Sequence, residues 1–70
     1  MSTIAVTVND QPRSIAADST VHSLAHALGL ADRKGVAFAL NGSVAPRRQW
    51  SSQPLRAGDK LIVIQATQGG

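Results

Sequence analysis

The 70-residue chain has no cysteine and no glutamate, and its aromatic residues are one phenylalanine, Phe38, and one tryptophan, Trp50. Without cysteine there can be no disulfide or thiolate metal site to supplement the core, and the protein has no thiol chemistry of its own. Long hydrophobic runs are also missing. The longest, Val36 to Leu40 and Leu61 to Ile64, fall far short of the roughly 20 apolar residues a membrane-spanning helix needs. Met1-Ser2-Thr3 leads into an alternating strand pattern with no signal-peptide run, so the sequence predicts a soluble, cytoplasmic protein with no membrane partner. The basic residues Arg13, Arg33, Lys34, Arg47, Arg48, Arg56 and Lys60 stand in ones and twos. With two aromatics available to stack on bases, this scatter argues against a nucleic-acid-binding module and for a solvated surface.

What is present is enough for one small domain, which must be compact because a chain of this size buries only about 60 % of its unfolded surface. Ile4, Val6 and Val8 alternate with Ala5 and Thr7 as in a half-buried strand. Asn9-Asp10-Gln11-Pro12 reads as a turn, after which Arg13 to Ala16 returns antiparallel with Ile15 inward. Thr20 is placed to cap a helix whose apolar positions are Val21, Leu24, Ala25 and Leu28, and Gly29 is placed to end it. A polar connection from Ala31 to Gly35 leads to a strand at Val36, Phe38 and Leu40. Asn41-Gly42-Ser43 turns that strand, and Val44-Ala45 pairs briefly before Pro46. One helical turn at Arg47 to Trp50 and a loop around Leu55 precede a last strand from Lys60 to Ala66. The expected fold class is α+β, with a domain over residues 1–66 and a tail over 67–70.

A single helix covers one face of a sheet. Strand parity assigns Ile4, Val6, Val8, Ile15, Phe38, Leu40, Leu61 and Val63 to the covered face. Ile62 and Ile64 then fall on the open face with Ala37 and Ala39, an apolar patch of the kind that marks partner sites. Trp50 is expected to lie over the edge of the core with its indole N–H on a backbone carbonyl.

The sequence stops at Gln68-Gly69-Gly70. Glycine without a Cβ can pass a narrow channel and adopt backbone angles closed to other residues. From Ala66 onward an extended tail reaches at most about 17 Å. The pattern suits delivery of a carboxylate into another protein's active site. Other constellations carry less. His22 and His26 share a helix face but lack a third ligand, and no metal site is expected. Ser51-Ser52 has no paired base, and Gly58-Asp59 is ordinary turn chemistry.

Asn41, Val44-Ala45-Pro46-Arg47, Trp50, Leu55, Gly58-Asp59, the strand Leu61 to Ile64 and Gly69-Gly70 together form a specific pattern. A Pro-Arg-x-x-Trp segment is followed by Leu-x-x-Gly-Asp, an apolar strand and Gly-Gly. This pattern resembles the ThiS family, the sulfur carriers of thiamine biosynthesis, which have the ubiquitin-like β-grasp fold. Thr20-Val21-His22-x-Leu24 and Asn9 extend the resemblance over the whole chain. The missing glutamate is a departure, since the family commonly carries it on the helix; an acidic docking surface of that kind is not expected here. The resemblance implies a mixed sheet of about five strands with one main helix on one face, and a carrier that is not an enzyme and is monomeric when free. It further implies that a ThiF-like adenylating enzyme consumes ATP to activate the Gly70 carboxylate, so that no cofactor is bound by this chain. Sulfur from a donor such as a cysteine desulfurase then displaces AMP, leaving a thiocarboxylate that a ThiG-like thiazole synthase uses. Partner contacts are expected at Thr67, Gln68, Gly69, Ile62, Ile64, Ala37 and Ala39, and Arg47 is assigned a docking or structural role. The alternatives are a carrier for molybdopterin synthesis or another thiolation pathway, and a ubiquitin-like modifier. The molybdopterin relatives share the fold and tail but generally lack the Pro-Arg-x-x-Trp segment.

Overall fold

The computed structural model describes residues 2–65. The element order is β1 (Thr3–Val8), β2 (Gln11–Ala16), α1 (Val21–Ala27), β3 (Val36–Leu40), β4 (Ser43–Ala45), a 3-10 helix (Arg47–Ser52) and β5 (Lys60–Gln65). The five strands form one sheet in the order β2-β1-β5-β3-β4. Strand β5 is central, running parallel to β1 and antiparallel to β3.

The first hairpin is tighter than the sequence reading. Asn9 and Asp10 both take positive φ, 52° and 67°, which is the two-residue turn geometry that Asn and Asp tolerate. Gln11 therefore already pairs with Val8, and β2 begins two residues before the expected Arg13. This places Pro12 inside a strand, opposite Thr7. The strand lies at the sheet edge, where a missing N–H interrupts no ladder. The second hairpin uses Asn41 and Gly42, at φ 51° and 89°, to pair Leu40 with Ser43.

Helix α1 begins as expected at Thr20, whose hydroxyl accepts from the Ser23 backbone N–H at 3.2 Å, while the Thr20 N–H donates to Ser23 Oγ at 2.8 Å. Serine thus completes the reciprocal cap that glutamate or glutamine usually completes. At the other end Gly29 sits at φ 75°. Leu30 N–H reaches the Ala25 carbonyl and Gly29 N–H the His26 carbonyl, the two bonds of a left-handed helix stop. That stop turns Leu30 into the core.

The core contains Val6, Val21, Leu24, Ala25, Leu30, Val36, Phe38, Ala45, Trp50, Leu55 and Leu61. Ile4, Val8, Ile15, Leu28, Leu40 and Val63 pack partly buried around it. The expected face assignment therefore holds. Its outer members are less covered because a seven-residue helix cannot shield the ends of five strands. Phe38 and Trp50 meet edge to face, with ring centroids 5.0 Å apart and planes at 84°, a favoured aromatic geometry. Among the described residues no helix is long and apolar enough to cross a membrane.

Candidate partner-binding site

Antiparallel register brings the open-face residues together. Ala37 lies opposite Ile64, Ala39 opposite Ile62, and Val44 opposite Ala39. These positions form an apolar patch across the three strands β5, β3 and β4. Ile64 is 45 % exposed and Val44 65 % exposed, whereas Leu61 on the covered face is fully buried. The sequence reading had placed four of these residues and missed Val44. The signal for Val44 was available: the Asn41-Gly42 turn fixes the β3–β4 register, and Val44 alternates with Ala45, which is buried.

The patch ends where β5 ends, at Gln65 opposite Val36. Thr67, Gln68, Gly69 and Gly70 follow in sequence and lie outside the described residues, as does the expected final strand residue Ala66. The expectation of a tail over 67–70 falls there too.

Arg47 is engaged within the chain. Its guanidinium donates to the carbonyls of Ala31 at 2.6 Å, Arg33 at 2.5 Å and Val36 at 3.4 Å. It also lies 4.5 Å from the centroid of the Trp50 ring, within cation–π range. Trp50 in turn donates its indole N–H to the Ala45 carbonyl at 2.9 Å. Arg47 therefore fastens the α1–β3 connection to the 3-10 helix at the start of β3, and the Pro46-Arg47-x-x-Trp50 segment is a structural clamp.

At the opposite end of β5 two asparagines and an aspartate fix the strand. Asn41 Oδ1 accepts from the Lys60 N–H at 2.9 Å, and its Nδ2 donates to Asp59 Oδ1 at 3.0 Å. The second Asp59 oxygen accepts from the Arg56 N–H at 2.8 Å. Asn9 Oδ1 accepts from the Val63 N–H at 2.9 Å. The Gly58-Asp59 turn, read from sequence as punctuation, thus also positions the start of β5.

His22 and His26 are both exposed, and no group of metal-ligating side chains occurs among the described residues. Ser51 and Ser52 lie in the 3-10 helix.

The mixed five-strand sheet with one main helix on one face is the ubiquitin-like β-grasp. Solved structures agree: the crystal structure of the thiamine biosynthesis protein ThiS from Geobacter metallireducens matches with a TM-score of 0.81 at 29 % identity, over 96 % of this chain and 100 % of that one. The solution structure of a thiamine biosynthesis protein from the same organism matches with a TM-score of 0.77 at 29 % identity, over 96 % and 88 %. The sulfur carrier protein ThiS of Escherichia coli is 37 % identical over 62 residues, which cover 89 % of this chain and 92 % of that protein. The ThiS family model matches residues 6–70. The chain belongs to the ThiS family.

Proposed function

We propose that this protein is the sulfur carrier of thiazole formation in thiamine biosynthesis, and that Gly70 carries the sulfur. The family match runs through Gly70, and this observation carries the reading. In this mechanism a ThiF-like enzyme adenylates the Gly70 carboxylate with ATP, releasing pyrophosphate. Sulfur then displaces AMP to leave a thiocarboxylate, which a ThiG-like thiazole synthase consumes. A cysteine desulfurase or a relay protein supplies the sulfur in the cell. The protein itself contributes a carboxylate, a thin tail and a docking surface, so its role is that of a carrier and not an enzyme. The apolar patch of Ala37, Ala39, Val44, Ile62 and Ile64 is the proposed contact surface for these partners. A cytoplasmic location goes with dependence on ATP.

Intact-mass measurement tests the reading. After incubation with ATP, a ThiF-like enzyme and inorganic sulfide, the protein is expected to gain the mass difference between sulfur and oxygen, localised to Gly70. Deleting Gly70 is expected to abolish the gain without changing the melting curve. One residue added after Gly70 displaces the carboxylate by about 3.5 Å, and an error of that size at a reacting centre can cost a hundredfold in rate. A lengthened protein that formed the thiocarboxylate without trimming would refute this mechanism. Linkage through Gly70 to lysines of other proteins would instead favour the modifier reading.

A further inference from the structure

The seven basic residues are scattered in sequence, but the fold gathers four of them. The bonds from Arg47 to the Ala31 and Arg33 carbonyls join the α1–β3 connection to the start of the 3-10 helix. Arg33-Lys34 and Arg47-Arg48 therefore share one corner, and all four are exposed. Asp32 is the one acidic residue in these two segments. Over the rest of the chain Arg13, Arg56 and Lys60 are balanced by Asp10, Asp18 and Asp59, so the net charge of +3 is the charge of this corner. Among the described residues, Arg33, Lys34 and Arg48 take part in no ion pair; Lys60 is the cation that pairs, with Asp10.

The position of the corner is as informative as its charge. The start of β3, the end of β4 and the end of β5 lie at the same end of the sheet, because Val36 pairs with Gln65 and Phe38 with Ala45. The corner is therefore adjacent to the end of β5 at Gln65, one pair from Ala37 and Ile64 on the apolar patch.

We propose that Arg33, Lys34 and Arg48, on the platform held by Arg47, form a basic docking corner for an acidic protein surface on the adenylating enzyme. Carboxylates on that enzyme would surround the entrance that receives the residues after Gln65. This assignment rests on the carrier reading above. A protein partner fits better than a nucleic acid, because three free cations neutralise few phosphates and Phe38 and Trp50 are 0 % and 1 % exposed, so neither can stack on a base. Lipid recognition of this type uses basic clusters beside a membrane-spanning helix or along an amphipathic helix, whereas this corner is divided between the α1–β3 connection and a 3-10 helix. The adjoining apolar patch supplies the desolvated centre of a protein interface, and the basic corner supplies its charged rim.

The test compares two double charge reversals that change the net charge by the same amount: Arg33→Glu with Lys34→Glu in the corner, and Arg13→Glu with Arg56→Glu away from it. Association of each full chain with the ThiF-like enzyme is followed by stopped flow across salt concentration, and thiocarboxylate formation by intact mass. The corner reversal is expected to slow association about tenfold or more at low salt, within the range of electrostatic steering. The deficit should shrink towards about 0.5 M salt as the charges are screened. The distal reversal is expected to change the rate less than threefold. If the corner reversal fails to fold, Arg33→Gln with Lys34→Gln is expected to give the same salt-dependent loss at smaller amplitude. Equal slowing by both reversals would show net charge at work and overturn the assignment. So would binding of duplex DNA or phosphatidylserine vesicles at physiological salt that the corner reversal abolishes. If the unaltered protein gains no sulfur, the carrier reading falls and the corner falls with it. If all variants gain sulfur and associate alike, the corner alone is refuted.

Discussion

Replacing Arg47 by alanine isolates the clamp from the rest of the fold. Two of its hydrogen bonds are short, 2.6 Å to Ala31 and 2.5 Å to Arg33, and the third, 3.4 Å to Val36, is at the limit of a useful contact. A charged hydrogen bond contributes about 1.5–3 kcal/mol. Arg47 is exposed, and water can replace it at the freed carbonyls, so each short bond is set at about 1 kcal/mol, below that range. The cation–π contact with Trp50 adds about 0.5–1 kcal/mol at an exposed site. The expected cost of Arg47→Ala is thus about 2–3 kcal/mol, a large part of the roughly 4–10 kcal/mol available to a domain of this length. The melting temperature should fall by on the order of 10–20 °C, at about 4–8 °C per kcal/mol. Urea unfolding followed by Trp50 emission and by circular dichroism measures the loss. Arg47→Lys should recover less than half of it, because an ammonium cannot fork between two carbonyls and stack on the indole at once. A loss below about 0.5 kcal/mol for Arg47→Ala, or full recovery by lysine, would refute the clamp.

Two further stability predictions follow from burial. Phe38→Ala removes a fully buried ring that contacts Trp50 and should cost about 3–5 kcal/mol, unfolding much of the population; calorimetry would show a collapsed transition. Leu61→Asp places a charge in the core and should unfold the protein, whereas Ile62→Asp lies on the open face and should leave it folded while weakening binding to the adenylating enzyme. A folded Leu61→Asp protein would contradict the face assignment.

The sequence was most informative where local rules and burial agreed. Period-two alternation located β1 and β3, the unbroken apolar run Leu61 to Ile64 after the Gly58-Asp59 turn located β5, and Thr20 and Gly29 bounded α1, because a cap hydroxyl and a left-handed glycine are local requirements. The start of β2 was misread because Pro12 looks like a strand breaker, and only the sheet order reveals that β2 is an edge. Leu30 is absent from the apolar positions read for the helix because it follows the helix end, and the bonds of the helix stop turn it into the core. The clamp role of Arg47 depends on carbonyls 11 to 16 residues away, and no short pattern encodes those contacts. The basic corner was hidden for the same reason, since its two halves meet only in three dimensions.

The central place of β5 has a consequence for how the protein is made. Strand β1 closes against it through Thr7 and Asn9 N–H groups to the Asp59 and Leu61 carbonyls, and Asn9 meets Val63 across 54 residues. While the chain is emerging from the ribosome, β1 can pair with β2 but leaves its other edge open, and β3 does the same beside β4. The two hairpins remain separate half-sheets until β5 is available to pair with both. Pairing between segments so far apart in sequence is intrinsically slow, and both half-sheets offer an unpaired edge to other chains while they wait. Early folding intermediates of this protein should therefore be hairpins exposed to misassociation, and the arrival of β5 seals both edges in a single event.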